Sequence, residues 1–112
     1  MRWFWQSLAV LGAVAILGLV SVSAGDPAAI TINTFQFTPS PLEVKAGTRV
    51  TWTNQDDITH TVTSGTPESR VGRFDSRLDG KGASTSVTFT EPGTYDYFCN
   101  RHQSMRGQVR VN

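Results

Sequence analysis

Apolar side chains return at every second position along most of this chain, as Ile30 and Ile32, Phe35 and Phe37, Val50 and Trp52, Val87 and Phe89, Tyr95 and Tyr97, and Val109 and Val111. Successive residues of an extended backbone point to opposite faces, so a period of two describes strands with one face buried. Turn-forming clusters separate the runs: Thr38-Pro39-Ser40-Pro41, Ala46-Gly47-Thr48 and Glu91-Pro92-Gly93-Thr94. Strands at such intervals predict an all-β sandwich or barrel, with elements near 29–37, 42–45, 49–54, 60–64, 84–90, 95–99 and 106–111. The phase slips between Ile32 and Phe35, which predicts a kink or bulge in the first strand if both apolar pairs point inward. Residues 64–82 break the rhythm, with Val71, Phe74 and Leu78 as their only apolar anchors, and read as an excursion around one short strand. No helical periodicity of useful length and no internal repeat is present.

The first 24 residues differ from the rest. Arg2 gives a positive start, an aliphatic run from Leu8 to Val20 follows, and Val22-Ser23-Ala24 supplies small residues for cleavage, the pattern of an export signal. Cleavage after Ala24 leaves 88 of the 112 residues, 25–112, as a single domain with nine Lys or Arg against nine Asp or Glu. The alternative is an uncleaved anchor, because the twenty residues from Trp3 to Val22 carry no charge and are long enough to span a bilayer. Contact with a membrane is expected only in that case. A formal charge of +1 lacks the basic excess of a nucleic-acid module.

So small an exported domain commonly needs a staple, and a disulfide is excluded because Cys99 is the only cysteine. An idle thiol is a liability in an oxidising compartment, so Cys99 needs burial or a ligand. The segment Cys99-Asn100-Arg101-His102-Gln103-Ser104-Met105 places a thiolate, an imidazole and a thioether three residues apart. In a chain with two His and two Met, shuffling would produce that spacing from the lone cysteine roughly once in three thousand trials. The other histidine, His60, completes a set of two nitrogens and two sulfurs. Soft sulfur suits Cu(I) and imidazole suits Cu(II), and a His₂Cys set with a weak axial Met is the donor set of blue-copper electron-transfer sites. Each residue alone has a plainer explanation: a buried cysteine, a gap-filling methionine, a surface or core histidine. Together they exhaust the histidines, the cysteine and the only methionine downstream of residue 24. Structural zinc is the competing metal, and methionine argues against it.

With these residues in place the sequence resembles the cupredoxins. The likeness runs through Pro41-Leu42-Glu43-Val44-Lys45-Ala46-Gly47-Thr48, Val50-Thr51-Trp52-Thr53-Asn54, His60-Thr61-Val62, and Phe89 to Cys99 and on to Val111. It covers most of residues 29–112. The two-residue gap between His102 and Met105 is similar to the amicyanin branch, although Arg101 and Gln103 stand where amicyanins usually carry prolines. The resemblance implies a Greek-key β-sandwich of seven to eight strands. It implies one copper ion cycling between Cu(I) and Cu(II), held by His60, Cys99, His102 and Met105, with His102 as the solvent-facing electron port and Met105 axial. Asn54 and Thr61 would tie the His60 segment to the Cys99 loop, with a backbone N–H directed at the sulfur; ordinary turn and strand polarity is the plainer account of both. Arg101 and Arg106 would form a positive rim for an acidic partner, against the plainer account of a solvated surface.

The function implied is that of a small monomeric carrier, periplasmic or otherwise extracytoplasmic. It would shuttle single electrons between a redox protein donor and acceptor, such as a dehydrogenase and a c-type cytochrome. It is not expected to be an enzyme, since cupredoxin-built oxidases need further histidines for a second copper centre. The competing reading is copper delivery or storage without an electron-transfer role. Such sites lean on several methionines, and residues 25–112 hold one.

Overall fold

A computed structural model of the chain describes residues 25–112, so the expected signal segment or anchor at 1–24 lies outside the described residues. Nine strands are present there: β1 (Ala28–Asn33), β2 (Gln36–Thr38), β3 (Leu42–Val44), β4 (Thr48–Asn54), β5 (His60–Thr66), β6 (Ser69–Leu78), β7 (Ser84–Phe89), β8 (Gly93–Phe98) and β9 (Arg106–Val111). They form a four-stranded sheet in the order β2-β1-β4-β7 and a five-stranded sheet in the order β3-β9-β8-β5-β6. Among the described residues no helix is long and apolar enough to cross a membrane. The all-β sandwich is as expected. The strand count is nine rather than seven or eight.

The inward faces follow the period of two. Ile30, Ile32, Val50, Trp52 and Phe89 come from one sheet and Val44, Val62, Leu78, Tyr97, Val109 and Val111 from the other, all buried. At their centre Trp52 is fully buried and meets Tyr97 edge-to-face with ring centroids 5.2 Å apart. Tyr97 needs a glycine opposite it. It pairs across β8 and β9 with Gly107, where a Cβ would lie 2.2 Å from the tyrosine ring. Each sheet also contains a parallel pair, β1 with β4 and β3 with β9, so elements distant in sequence close the sandwich.

Two local expectations are corrected. The region 29–37 is not one kinked strand but a tight antiparallel hairpin, with Asn33 opposite Gln36 and Thr34-Phe35 as its turn. The phase slip arises because Phe35 is a turn residue, 47% exposed, while Phe37 points into the core. Both turn residues have positive φ, 54° and 60°. That backbone costs about 1–2 kcal/mol per non-glycine residue. The region 64–82 is not an excursion around a short strand either. It holds the end of β5 and the ten-residue β6, the longest strand of the fold. β6 is an edge strand, exposed along most of its length, and its charges at Arg70, Arg73, Asp75 and Arg77 discourage edge-to-edge pairing while hiding the alternation. A bulge between Thr63 and Gly65 bends this hairpin, and the Ser64 Oγ accepts the N–H groups of Arg73 and Phe74 at 2.8 and 3.0 Å.

Candidate metal centre

His60 opens β5, and Cys99 follows β8 directly, so adjacent strands of one sheet deliver both residues to the same end of the sandwich. The loop from Cys99 to Met105 then turns back into β9. It is closed by its own backbone: the Cys99 N–H donates to the Met105 carbonyl at 3.1 Å and the Met105 N–H to the His102 carbonyl at 2.9 Å. This tight return brings His102 over the cysteine. Cys99 Sγ lies 3.7 Å from His60 Nδ1 and 3.8 Å from His102 Nδ1, and the three donor atoms fall within 4.8 Å of one another. His60 and Cys99 are fully buried, Met105 nearly so, and His102 is partly exposed.

The spacing fits a shared ion. Bonds of about 2.0 Å to nitrogen and about 2.3 Å to sulfur, opened to about 120°, separate the donor atoms by about 3.8 Å. Two imidazoles and a thiol are a borderline-to-soft set, which suits copper, and the buried Met105 sits at the end of the same loop.

The surroundings hold these side chains in place. The Thr61 N–H points at Cys99 Sγ from 3.3 Å, while Thr61 Oγ1 accepts the Asn100 N–H at 2.7 Å. Thr61 therefore joins β5 to the loop twice. Its hydroxyl continues through Thr63 Oγ1 at 2.9 Å to the Asp75 carboxylate, another 2.9 Å on. Asn54 is fully buried but does not reach the loop: its amide donates to the carbonyls of Ile58 and Leu78, and its Oδ1 accepts the Asp56 N–H. It organises the 55–58 turn instead. Arg101 is exposed, and Arg106 donates to the Gln103 carbonyl and lies 3.7 Å from Glu68.

Three residues at this end carry no metal-ligand signature in the sequence. The Asp56 carboxylate contacts His60 Nε2 at 2.8 Å, on the opposite side of the ring from Cys99. Burial works to raise the Asp56 pKa, but the N–H groups of Phe35 and Thr34, with His60, outweigh it and hold the carboxyl below its ordinary value. The Phe35 ring stands edge-on to His60 and to His102, with centroids 5.2 and 5.0 Å away. Asn100 receives the Arg70 guanidinium on its Oδ1. An aspartate four residues before a histidine was the one available hint, and the intervening backbone is a loop.

The profile of the copper binding proteins of the plastocyanin/azurin family matches residues 26–112, the whole sandwich. The chain belongs to this family, the cupredoxins. Its cofactor is copper, one ion per chain. Amicyanin-alpha of Methylorubrum extorquens is 31% identical over 107 residues, 96% of this chain and 89% of that protein. Plastocyanin of Scenedesmus fuscus is 35% identical over 83 residues, covering 67% of this chain and 85% of its own. Among solved structures, a purple cupredoxin from Nitrosopumilus maritimus superposes with a TM-score of 0.70 at 32% identity, covering 76% of this chain and 99% of its own. An amicyanin variant in its reduced state gives 0.64 at 33% identity, covering 85% and 88%. Both amicyanin and plastocyanin relatives thus align with this cupredoxin across its sandwich.

Proposed function

We propose that this cupredoxin is an extracytoplasmic one-electron carrier whose copper is held by His60, Cys99, His102 and Met105. The observation that carries the reading is the convergence of His60 Nδ1 and His102 Nδ1 on one buried sulfur, at 3.7 and 3.8 Å. Copper supplies the redox chemistry there by alternating between Cu(I) and Cu(II). The chain's part is to keep the donors still. His60 and Cys99 are anchored to neighbouring strands, and the Thr61 N–H at the sulfur stabilises negative charge on it. A ligand cage that does not rearrange keeps the cost of electron exchange low. His102 alone among the three reaches solvent, so its edge is the exit for the electron.

The relatives support a carrier rather than an enzyme, and the chain's two histidines are both used at one site, leaving none for a second copper centre. Redox proteins are the partners on this reading, met at the His102 edge with Arg101 and Arg106 beside it. The test is a titration of purified residues 25–112 with Cu(II). An intense visible thiolate-to-copper band that bleaches on reduction and returns on oxidation is expected. A colourless, redox-silent complex would move the protein to copper delivery or storage.

A further inference from the structure

The turn joining β1 to β2 is made of residues that disfavour it. Two-residue hairpin turns with both φ values positive are normally Asn-Gly or Asp-Gly. Here a β-branched Thr34 and a bulky Phe35 hold φ values of 54° and 60°. Such backbone persists only where the surroundings over-determine it, and it collects at functional sites. The surroundings in this case are one carboxylate. Asp56 Oδ1 accepts the Thr34 N–H at 2.8 Å, and Oδ2 accepts the Phe35 N–H at 3.0 Å together with His60 Nε2 at 2.8 Å. Asp56 is itself fixed, because its own N–H donates at 2.9 Å to the fully buried Asn54.

We propose that Asp56 is a positioning residue of the copper site, binding the outer nitrogen of His60 and the strained Thr34-Phe35 turn with a single carboxylate. The inference rests on the ligand set proposed above. A carboxylate can only accept, so the proton of the neutral imidazole is held on Nε2 and the Nδ1 lone pair is left facing Cys99 Sγ. The same carboxylate makes that imidazole a stronger donor, which favours Cu(II) over Cu(I). Through the turn it also sets the Phe35 ring, edge-on to both histidines at 5.2 and 5.0 Å. Removing the carboxylate therefore acts on the metal's two oxidation states unequally.

The test compares the unaltered protein with Asp56→Asn, Asp56→Glu and Phe35→Ala, in metal-free and copper-loaded forms. Nitrogen-detected NMR of the metal-free, unaltered chain is expected to show His60 with its proton fixed on Nε2, and Asp56→Asn to show a tautomer average. For Asp56→Asn, Cu(II) affinity is expected to fall about 10–100-fold, with a smaller loss for Cu(I). Each tenfold difference between the two raises the reduction potential by about 59 mV for one electron. Asp56→Glu restores part of the shift, and Phe35→Ala leaves the His60 tautomer unchanged. An Asp56→Asn protein with unchanged potential, or with equal loss of both oxidation states, overturns the proposal, as does a His60 proton on Nδ1 in the unaltered chain. If Asp56→Asn does not fold, the comparison is made in a chain carrying Thr34→Asn and Phe35→Gly, whose turn no longer needs the carboxylate. A fixed Nε2 proton in a chain that forms no coloured copper complex supports the Asp56–His60 link while overturning the carrier reading.

Discussion

Tyr97 shows how far a single group can be taken out of water in this fold. Its ring is fully buried, and neither its hydroxyl nor the neighbouring Trp52 indole N–H has a hydrogen-bond partner. Burial pushes the phenol pKa from 10.0 up to about 12. The unfolded chain gives up this proton near pH 10 and the folded one holds it to about pH 12, so the contribution is intact below pH 10 and lost as pH rises through 12. That window is worth about 3 kcal/mol, at about 1.4 kcal/mol for each unit. Urea unfolding of the metal-free protein across this range is expected to show the decline. Tyr97→Phe should flatten it without loss of stability at neutral pH, since the hydroxyl makes no hydrogen bond. At this same scale the candidate ligands were readable from spacing, because Cys99, His102 and Met105 share one short loop. Asp56 and Phe35 were not. Asp56 stands four residues before His60, but across a loop that spacing implies no contact, and Phe35 meets His60 from a separate hairpin.

Among the elements, β5 departs most from the pattern expected of a strand with one wet face, for His60 to Gly65 are all buried. Its outward threonines are buried too, and they remain tolerable there because each hydroxyl is bonded: Asn100 N–H to Thr61, Thr61 with Thr63, Thr63 to Asp75. Thr63→Val keeps the shape of the side chain and removes the middle member. It is expected to cost about 1–3 kcal/mol in urea unfolding, with Thr63→Ser recovering part of it. A Val variant as stable as the parent would show that the chain of hydroxyls adds nothing. The alternation in β4, β8 and β9 was legible because those strands are half wet or face one core. The length of β6 was hidden by its exposure, and the β1–β2 turn by residues that do not belong to its turn type.

For the whole molecule, the candidate ligands His60, Cys99 and His102 gather at one end of the sandwich, and on the proposed function charge beside that end is expected to steer a redox partner. Arg101 is exposed and Arg106 is shared with Glu68 at 3.7 Å, a surface pair of small energetic weight that still contributes to the field. Reversing both arginines to Glu is expected to lower the bimolecular electron-transfer rate with an acidic redox protein and to flatten its dependence on ionic strength. Stopped-flow kinetics over a salt series reads both effects, and unchanged kinetics would remove the arginines from the docking surface. Sheet order was beyond sequence reading, since the parallel pairings of β1 with β4 and β3 with β9 leave no trace in local periodicity. Among the described residues β3 has β9 as its one sheet neighbour, with Leu42 opposite Val109 and Val44 opposite Val111. A chain cut before Arg106 therefore leaves β3 without a sheet partner and deprives the Cys99 loop of the strand it returns into, so the last six strand residues anchor two distant parts of the sandwich at once.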